Sequence, residues 1–190
     1  MIKRRNLDKE AILNAAAELA EKIGLDHITL KQLAEKLEIK PPSLYNHLKG
    51  LNELIEGLAQ LAIKKLEIVL QNAATGKSKE EAFIEIAHAY RKFAKENPEL
   101  YKSILKIPVS EDKTLQEEGL DVVRILYKVM EPYHYSNEDI IHFMRGFRSA
   151  LHGFVSLEDA GFFKGNVDVE KSYDRFISSL IYTLVIKEGE

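Results

Sequence analysis

The sequence predicts an all-α protein of about nine helices, and three observations carry that prediction. Only five Pro and ten Gly occur in 190 residues. No stretch sustains the period-two alternation of a half-buried strand. Apolar residues recur instead at three- and four-residue spacing along most of the chain, as in helices with one buried face.

Each helix follows from its own stripe. Ile12, Ala15, Ala16, Leu19, Ala20 and Ile23 mark the first, which Gly24 ends as a left-handed C-terminal residue would. Thr29 takes the N-cap position of a second, running to about Leu37. Pro41 and Pro42 suit the first turn of a third. A fourth, from about Asn52 to Leu70, buries Leu54, Ile55, Leu58, Leu61, Ala62, Leu66 and Val69. A loop at Thr75 to Ser78 precedes a fifth, roughly Lys79 to Glu96, stopped before Pro98. A short sixth covers Glu99 to Leu105, Pro108 breaks the pattern, and a seventh spans about Lys113 to Met130. The eighth runs from Asn137 to Asp159 with Ser136 as its cap, and the ninth from Val169 to Lys187. There is no repeat and no flexible linker. A small N-terminal domain, residues 1–50, is therefore expected to join a second, residues 51–190, through the fourth helix.

Composition narrows the function. At 45% apolar and 30% charged residues the chain has the balance of a folded globular protein. The absence of Cys removes disulfides, thiolate metal sites and cysteine nucleophiles, and suits a reducing, cytoplasmic setting. The opening MIKRRN leads into a charged, Ala-rich helical pattern without an apolar h-region, so no signal peptide is expected. Charges interrupt every apolar stretch well short of a membrane span, so no membrane partner is expected either. The six histidines, His27, His47, His88, His134, His142 and His152, have no ligand spacing. No metal and no cofactor is expected. A phosphate-binding glycine loop, a nucleophile motif and a paired-carboxylate signature are all missing, which argues against an enzyme.

Charge is uneven. The first fifty residues hold nine Lys/Arg and seven Asp/Glu, a balance of +2; the totals of 27 and 30 leave 18 against 23 beyond them, a balance of −5. Within the basic part lies TLKQLAEKLEIKPPSLYNHL, residues 29–48, which reads as a helix, a tight turn and a second helix. Leu33, Ala34 and Leu37 make the inner face of the first, Ile39 plugs the turn, and Leu44 and Leu48 hold the second. Lys40, Pro41, Pro42, Ser43, Tyr45, Asn46, His47 and Lys49 are left outward. Tyr45 is the only aromatic residue before Phe83, and its neighbours are hydrogen-bonding rather than apolar. In a helix-turn-helix such a second helix enters the major groove. Asn can pair with an adenine edge, Pro and Tyr can meet a thymine methyl, and Lys31, Lys40, Lys49 and Thr29 suit phosphates. A short amphipathic helix with a solvated polar face explains the same composition equally well.

The stretch from Ile12 to Leu54 resembles the DNA-binding domain of TetR/AcrR-type transcriptional repressors. The resemblance is carried by AILNAAAELAEKIGLDHITL, LAEKLEI and PPSLYNHL, and most specifically by Leu44-Tyr45 followed by His47. It implies DNA contacts at Thr29, Lys31, Pro42, Ser43, Tyr45, Asn46 and His47. Three positions depart from the family pattern: Glu38 stands where Gly is usual, Leu48 where Phe or another bulky apolar residue is usual, and Leu51 where Lys is frequent. Glu38 implies a turn not held in a glycine-only conformation.

The remaining 140 or so residues resemble, in helix count, the effector-binding and dimerisation domain of the same family. RSALHGFVSLEDAGFF resembles the subgroup named for a Trp-His-Gly signature, with His152-Gly153 kept and Leu151 at the aromatic position. The resemblance implies a ligand-responsive repressor that binds a double-stranded DNA operator as a homodimer. A small-molecule effector would sit among the fourth to eighth helices. Residues expected to line that cavity are Leu58, Phe83, Ala87, Tyr90, Tyr101, Ile104, Tyr127, Phe147 and Leu151, with Arg148 or His152 as polar anchors. His152 equally suits a structural hydrogen bond to a neighbouring helix or to Glu158. The eighth and ninth helices would pair with their copies through Gly146, Ser149, Gly153, Phe176, Leu180, Tyr182 and Leu184. A helix-turn-helix protein without an effector, and an all-helical interaction module, remain as alternatives.

Overall fold

The structure, a computed structural model, describes residues 7–107 and 113–188. Among them are nine α-helices and no strand: α1 Lys9–Ile23, α2 Leu30–Lys36, α3 Pro41–Leu44, α4 Leu51–Ala74, α5 Lys79–Glu96, α6 Pro98–Ile104, α7 Lys113–Met130, α8 Asn137–Asp159 and α9 Val169–Glu188. Short 3-10 turns at Leu25–His27 and Glu131–Tyr133 were not expected from periodicity, which three residues are too few to establish. The expected break at Pro108, the basic MIKRRN segment and the side chain of Val185 lie outside the described residues. No helix of the described residues is long and apolar enough to cross a membrane.

The described residues group into two compact units by their contacts. The first draws on Met1–Lys65 and Asn97–Gly119, the second on Leu66–Glu96 and Leu120–Glu190.

In the first unit Ile12, Ala16, Leu33, Ala34, Leu44, Leu54 and Leu58 form a fully buried core, joined by Leu100 from α6. Burial of this kind stabilises by about 25 cal/mol per Å² of apolar surface. Gly57 lets α4 approach α1 closely, since a Cβ there would lie 2.6 Å from Leu13 Cδ2. The brevity of α6 hid its attachment. The Glu21 carboxylate accepts the N–H of Leu100 at 3.2 Å, and the Glu99 carboxylate accepts that of Leu25 at 2.6 Å. Glu21 thus satisfies an otherwise orphaned donor at the start of α6, and Glu99 one at the start of the Leu25–His27 turn.

The starts of α1 and α8 are capped by side chains, and among the turns that end helices one is an exception to what its side chain implies. The Asp8 carboxylate caps α1 through Ala11 N–H (2.8 Å), and Ser136 caps α8 through Asp139 N–H (3.1 Å). Gly24 ends α1 at φ 89°, ψ 140°, a positive-φ conformation outside the expected left-handed helical region. The exception is Glu38. It has φ 56°, so the turn after α2 does adopt the conformation that favours glycine, contrary to the expectation drawn from its side chain. The N–H groups of Glu38 and Ile39 return to the carbonyls of Glu35 (3.1 Å) and Ala34 (3.0 Å), and Ile39 packs on the core. This reciprocal closure needs a left-handed residue at the position Glu38 holds. Glu38→Gly is therefore expected to stabilise the fold by about 1 kcal/mol, read as a higher urea midpoint at unchanged slope.

The second unit is built on α5, α8 and α9. Phe83, Phe147 and Tyr133 are buried, with Phe83 edge-on to Phe143 and Phe147 at 5.2 and 5.3 Å. The Tyr173 hydroxyl donates to the Ala87 carbonyl at 2.7 Å. Burial pushes its pKa up.

Arg91 is the most unusual residue of this unit, being 4% exposed. Its guanidinium donates to both oxygens of Glu158 (2.7 and 2.7 Å) and both of Glu170 (2.9 and 2.5 Å). It also lies 4.7 Å from the Tyr173 ring centroid and 5.8 Å from that of Phe154. One side chain of α5 thereby ties α8 to α9. The Arg91 hydrogen bonds hold the Glu158 carboxyl below the usual carboxylate range, and the pair raises the arginine in turn.

Candidate nucleic-acid interface

The capping of α2 explains where residues 29–49 stand. The Thr29 hydroxyl accepts the Gln32 N–H (3.2 Å) and donates to Gln32 Oε1 (2.6 Å), which also accepts the Thr29 N–H (2.9 Å). This closed box fixes the first turn of α2. It also commits the hydroxyl proton that a phosphate contact at Thr29 would use.

After the Glu38 turn, Lys40 leads into α3, which begins on Pro41 and Pro42 as expected. The helix is shorter than the expected span to Leu48. Only Pro41–Leu44 is α-helical, and Tyr45–His47 continue as a turn, with the N–H groups of His47 and Leu48 both reaching the Leu44 carbonyl at 2.9 Å. Leu44 and Leu48, 0% and 2% exposed, are the two pins that hold this segment to the core. Between and around them Lys40, Pro41, Pro42, Tyr45, Asn46 and Lys49 are exposed, while Ser43 and His47 are half-buried. Tyr45 is 60% exposed, a large aromatic surface left in water beside hydrogen-bonding neighbours. A core-packing residue would not be placed so.

The cations divide into two groups. Lys36 is neutralised by Glu18 at 2.8 Å and Lys9 by Glu53 at 3.1 Å. Lys31 is 81% exposed and faces Glu35 only at 4.0 Å, a separation of little energetic consequence. The amines of Lys40 and Lys49 have no ion pair among the described residues. Lys31, Lys40 and Lys49 are thus the cations of this segment available to an anion.

Glu53 was not singled out from the sequence, because an acid in a first helical turn reads as an ordinary dipole match. It does more here. One oxygen accepts the Lys49 N–H at 2.7 Å and the other the Lys9 amine, so the end of the outward segment is fastened to the starts of α4 and α1. The Lys49 N–H, then Lys9, keep the Glu53 carboxyl below its ordinary range. A carboxyl lowered on folding stabilises fully above its unfolded pKa and loses that contribution as pH falls through the folded one. Among the described residues no group of three or more His, Asp or Glu could hold a metal ion.

The residues expected to line an effector cavity are divided between the units. Leu58, Tyr101 and Ile104 belong to the first. Of those in the second, Phe83, Ala87, Phe147 and Leu151 are buried, Tyr90 and His152 are half-buried, and Tyr127 and Arg148 are exposed. His152 Nε2 lies 3.4 Å from Ser156 Oγ on its own helix, and the Glu158 carboxylate, an expected partner, accepts from Arg91. Phe147 lines a groove of about 350 Å³ between α8 and α9, away from the expected place among the fourth to eighth helices. Gly146, Leu180 and Leu184, expected at a dimer interface, line it too. Ser149 and Tyr182 are exposed and Gly153 is half-buried, with open space where a Gly146 or Gly153 Cβ would stand. Phe176 stacks on Phe154 at 5.5 Å, and Leu184 is buried within its own unit, where its carbonyl accepts the Tyr135 hydroxyl.

Residues 83–180 match the family model described as the tetracyclin repressor-like C-terminal domain. The uncharacterized HTH-type transcriptional regulator YobS of Bacillus subtilis is 34% identical over 98% of this chain and 97% of its own length. An HTH-type regulator of Mycobacterium tuberculosis is 30% identical over 82% of this chain and 72% of its own. A TetR variant of Acinetobacter baumannii, solved in complex with minocycline, shares the fold with a TM-score of 0.74 at 17% identity, over 96% of this chain and 99% of that one. With a family-model match over half of its length and a relative similar from end to end, the chain belongs to the TetR family of helix-turn-helix transcriptional regulators, which are not enzymes.

Proposed function

We infer that the protein is a ligand-responsive, cytoplasmic repressor that binds a pseudo-palindromic operator as a dimer, through Thr29, Lys31 and the segment from Lys40 to Lys49. The observation that carries this reading is the exposed run of Lys40, Pro41, Pro42, Tyr45, Asn46 and Lys49, pinned by the buried Leu44 and Leu48. Tyr45 and Asn46 read base edges, while Ser43 and His47 sit at the margin of the same surface. Lys31, Lys40 and Lys49 meet phosphates. Because the Thr29 proton is committed to Gln32, Thr29 contributes by setting the angle of α2.

Two such segments would occupy successive major grooves roughly 34–36 Å apart. The small residues Gly146, Ser149 and Gly153, beside the exposed Tyr182 and the groove at Leu180, support pairing of α8 and α9 with a second copy. His152-Gly153 supports placing the C-terminal part in the Trp-His-Gly subgroup. An effector that prefers the state with the reading segments splayed lowers operator affinity by population shift, with α4 as the tilting element.

The test is fluorescence anisotropy on duplexes from the DNA flanking the protein's own gene, with random duplex as competitor at fixed salt. A preference of at least about a thousandfold for one duplex is expected; equal affinity for all duplexes would sink the reading. A monomeric mass in sedimentation at micromolar concentration would remove the dimer. Lys40→Ala and Lys49→Ala are each expected to lower the slope of log affinity against log salt by about 0.9, with sequence preference kept. An unchanged slope would take those amines off the phosphates.

A further inference from the structure

A second cleft, of about 290 Å³, lies under the loop that joins α8 to α9. Its walls come from Phe154 on α8, Phe163 and Val167 in the loop, and Val169 and Ser172 on α9, with Lys164 as the one charged lining residue. Both ends of the loop are fixed. Gly161, at φ 74°, and Phe162 return hydrogen bonds to the carbonyls of Glu158 and Leu157, each at 2.9 Å. At the other end the Asp168 carboxylate accepts the Glu170 N–H at 2.9 Å.

The cleft has one aromatic side. Phe154 meets Phe163 and Tyr173 at 4.8 Å between centroids. The Arg91 guanidinium, 5.8 Å from the Phe154 ring, anchors that wall to α5.

Two features of the loop serve no visible purpose in the fold. Phe162 and Val167 are 73% and 77% exposed, where polar residues would turn the chain as well. The Lys164 amine has no ion pair among the described residues, and no carboxylate lines the cleft. Its stem crosses Gly161 so closely that a Cβ there would stand 3.1 Å from Cε and 3.6 Å from Nζ. A cation thus stands beside an apolar, aromatic-walled space just below the roughly 300–1,000 Å³ typical of ligand sites.

We propose that this cleft binds a compact organic anion, a carboxylate on one or two fused rings. The ring lies against Phe154 and Phe163, and the carboxylate meets the Lys164 ammonium. The charge and the aromatic wall select this class together: an uncharged ring leaves the amine unanswered, and a small inorganic anion leaves the apolar walls wet. Binding here does not require that the protein read DNA, and the test contains none.

The full-length chain is titrated with 2-naphthoate, followed by the anisotropy of its own fluorescence, and with 2-naphthalenemethanol as an uncharged twin. Saturable binding at one site per chain is expected, with the twin at least about tenfold weaker, the equivalent of about 1.4 kcal/mol. Lys164→Ala should bring naphthoate down to the level of the twin and leave the twin unchanged. Gly165→Trp should abolish both; Gly165 lines the cleft and a Cβ there meets nothing within 4 Å. Val167→Asp, which puts a like charge beside the carboxylate, should weaken naphthoate and spare the twin, a second check through an exposed residue should the tryptophan variant not fold. The proposal is overturned by absence of saturation at millimolar naphthoate, by equal affinity for the twin, or by naphthoate binding that survives both cleft variants. It is overturned as well if the cleft variants separate paired chains in sedimentation, which would give the cleft to a second copy.

Discussion

Arg91→Ala is expected to destabilise the protein by about 2–4 kcal/mol, the largest effect of any single substitution considered. Removing one partner of a buried ion pair costs roughly 3–5 kcal/mol, because the other charge is left desolvated and unpaired. The lower range applies here because Glu170 is 64% exposed and regains water when Arg91 is lost. Glu158 does not: its side chain is 17% exposed and would keep only Lys95, at 3.3 Å. The truncation also removes the cation from the faces of Tyr173 and Phe154, a further contribution of about 0.5–1 kcal/mol already inside that range. Urea denaturation at fixed protomer concentration measures it, since oligomerisation would otherwise move the midpoint. Arg91→Met with Glu158→Leu should recover most of the loss, as removing both charges leaves no orphan. A double variant as unstable as Arg91→Ala would assign the cost to lost packing instead.

The pH dependence carries the same information with a definite sign. Arg91 lowers the pKa of Glu158 and, through its hydrogen bond, that of Glu170. A carboxyl lowered on folding contributes stability that is complete above its unfolded pKa, near 4.3, and disappears as pH falls through the folded value. The wild-type protein should therefore lose stability more steeply below about pH 4.3 than the double variant. Parallel acid-titration curves would remove the ion pair from that account.

Tyr45→Ala and Asn46→Ala are each expected to weaken binding to the preferred duplex by about 1–3 kcal/mol, or roughly five- to 150-fold, at fixed salt. Tyr45 is 60% exposed, and neither residue belongs to the buried core, so the fold should tolerate both truncations. A loss of affinity is then a loss of contact rather than of structure, and an unchanged thermal midpoint verifies it. Affinity for random duplex should stay within about twofold, because phosphates rather than base edges dominate that binding. Unchanged affinity for the preferred duplex in both variants would count decisively against a reading role for this segment.

Much of the helical architecture was legible because amphipathic helices announce themselves one at a time. The spans of α5, α7 and α8 follow from stripes longer than four turns, and the Ser136 and Thr29 caps from single hydroxyl residues in the right place. The outward segment was legible for a related reason. Leu44 and Leu48 are the only apolar pair in PPSLYNHL that can share a face, so the polar remainder had to point elsewhere. What misled was chemistry read without geometry. The Glu38 side chain argues against a glycine-like turn, yet the two hydrogen bonds and the Ile39 contact that close α2 outweigh the strain of a side chain at positive φ. The length of α3 was overestimated because the residues after Leu44 keep helix-compatible identities while folding as a turn.

Most helix spans, the pinned outward segment and the resemblance to TetR-type repressors are legible in the chain alone, since each depends on spacing within some twenty residues. Whatever depends on pairs far apart in the chain follows from packing instead. Arg91 reaches partners 67 and 79 residues away. Glu99 caps a turn 74 residues before it, and α6 joins the core of α1 through Leu100. Which lysines near the outward segment remain free depends on Glu18 and Glu53 lying within salt-bridge distance of Lys36 and Lys9. The physical reason is the same in each case. A helix face is specified by local periodicity, whereas the partner of a charge or of a buried donor is specified by packing, which periodicity does not encode.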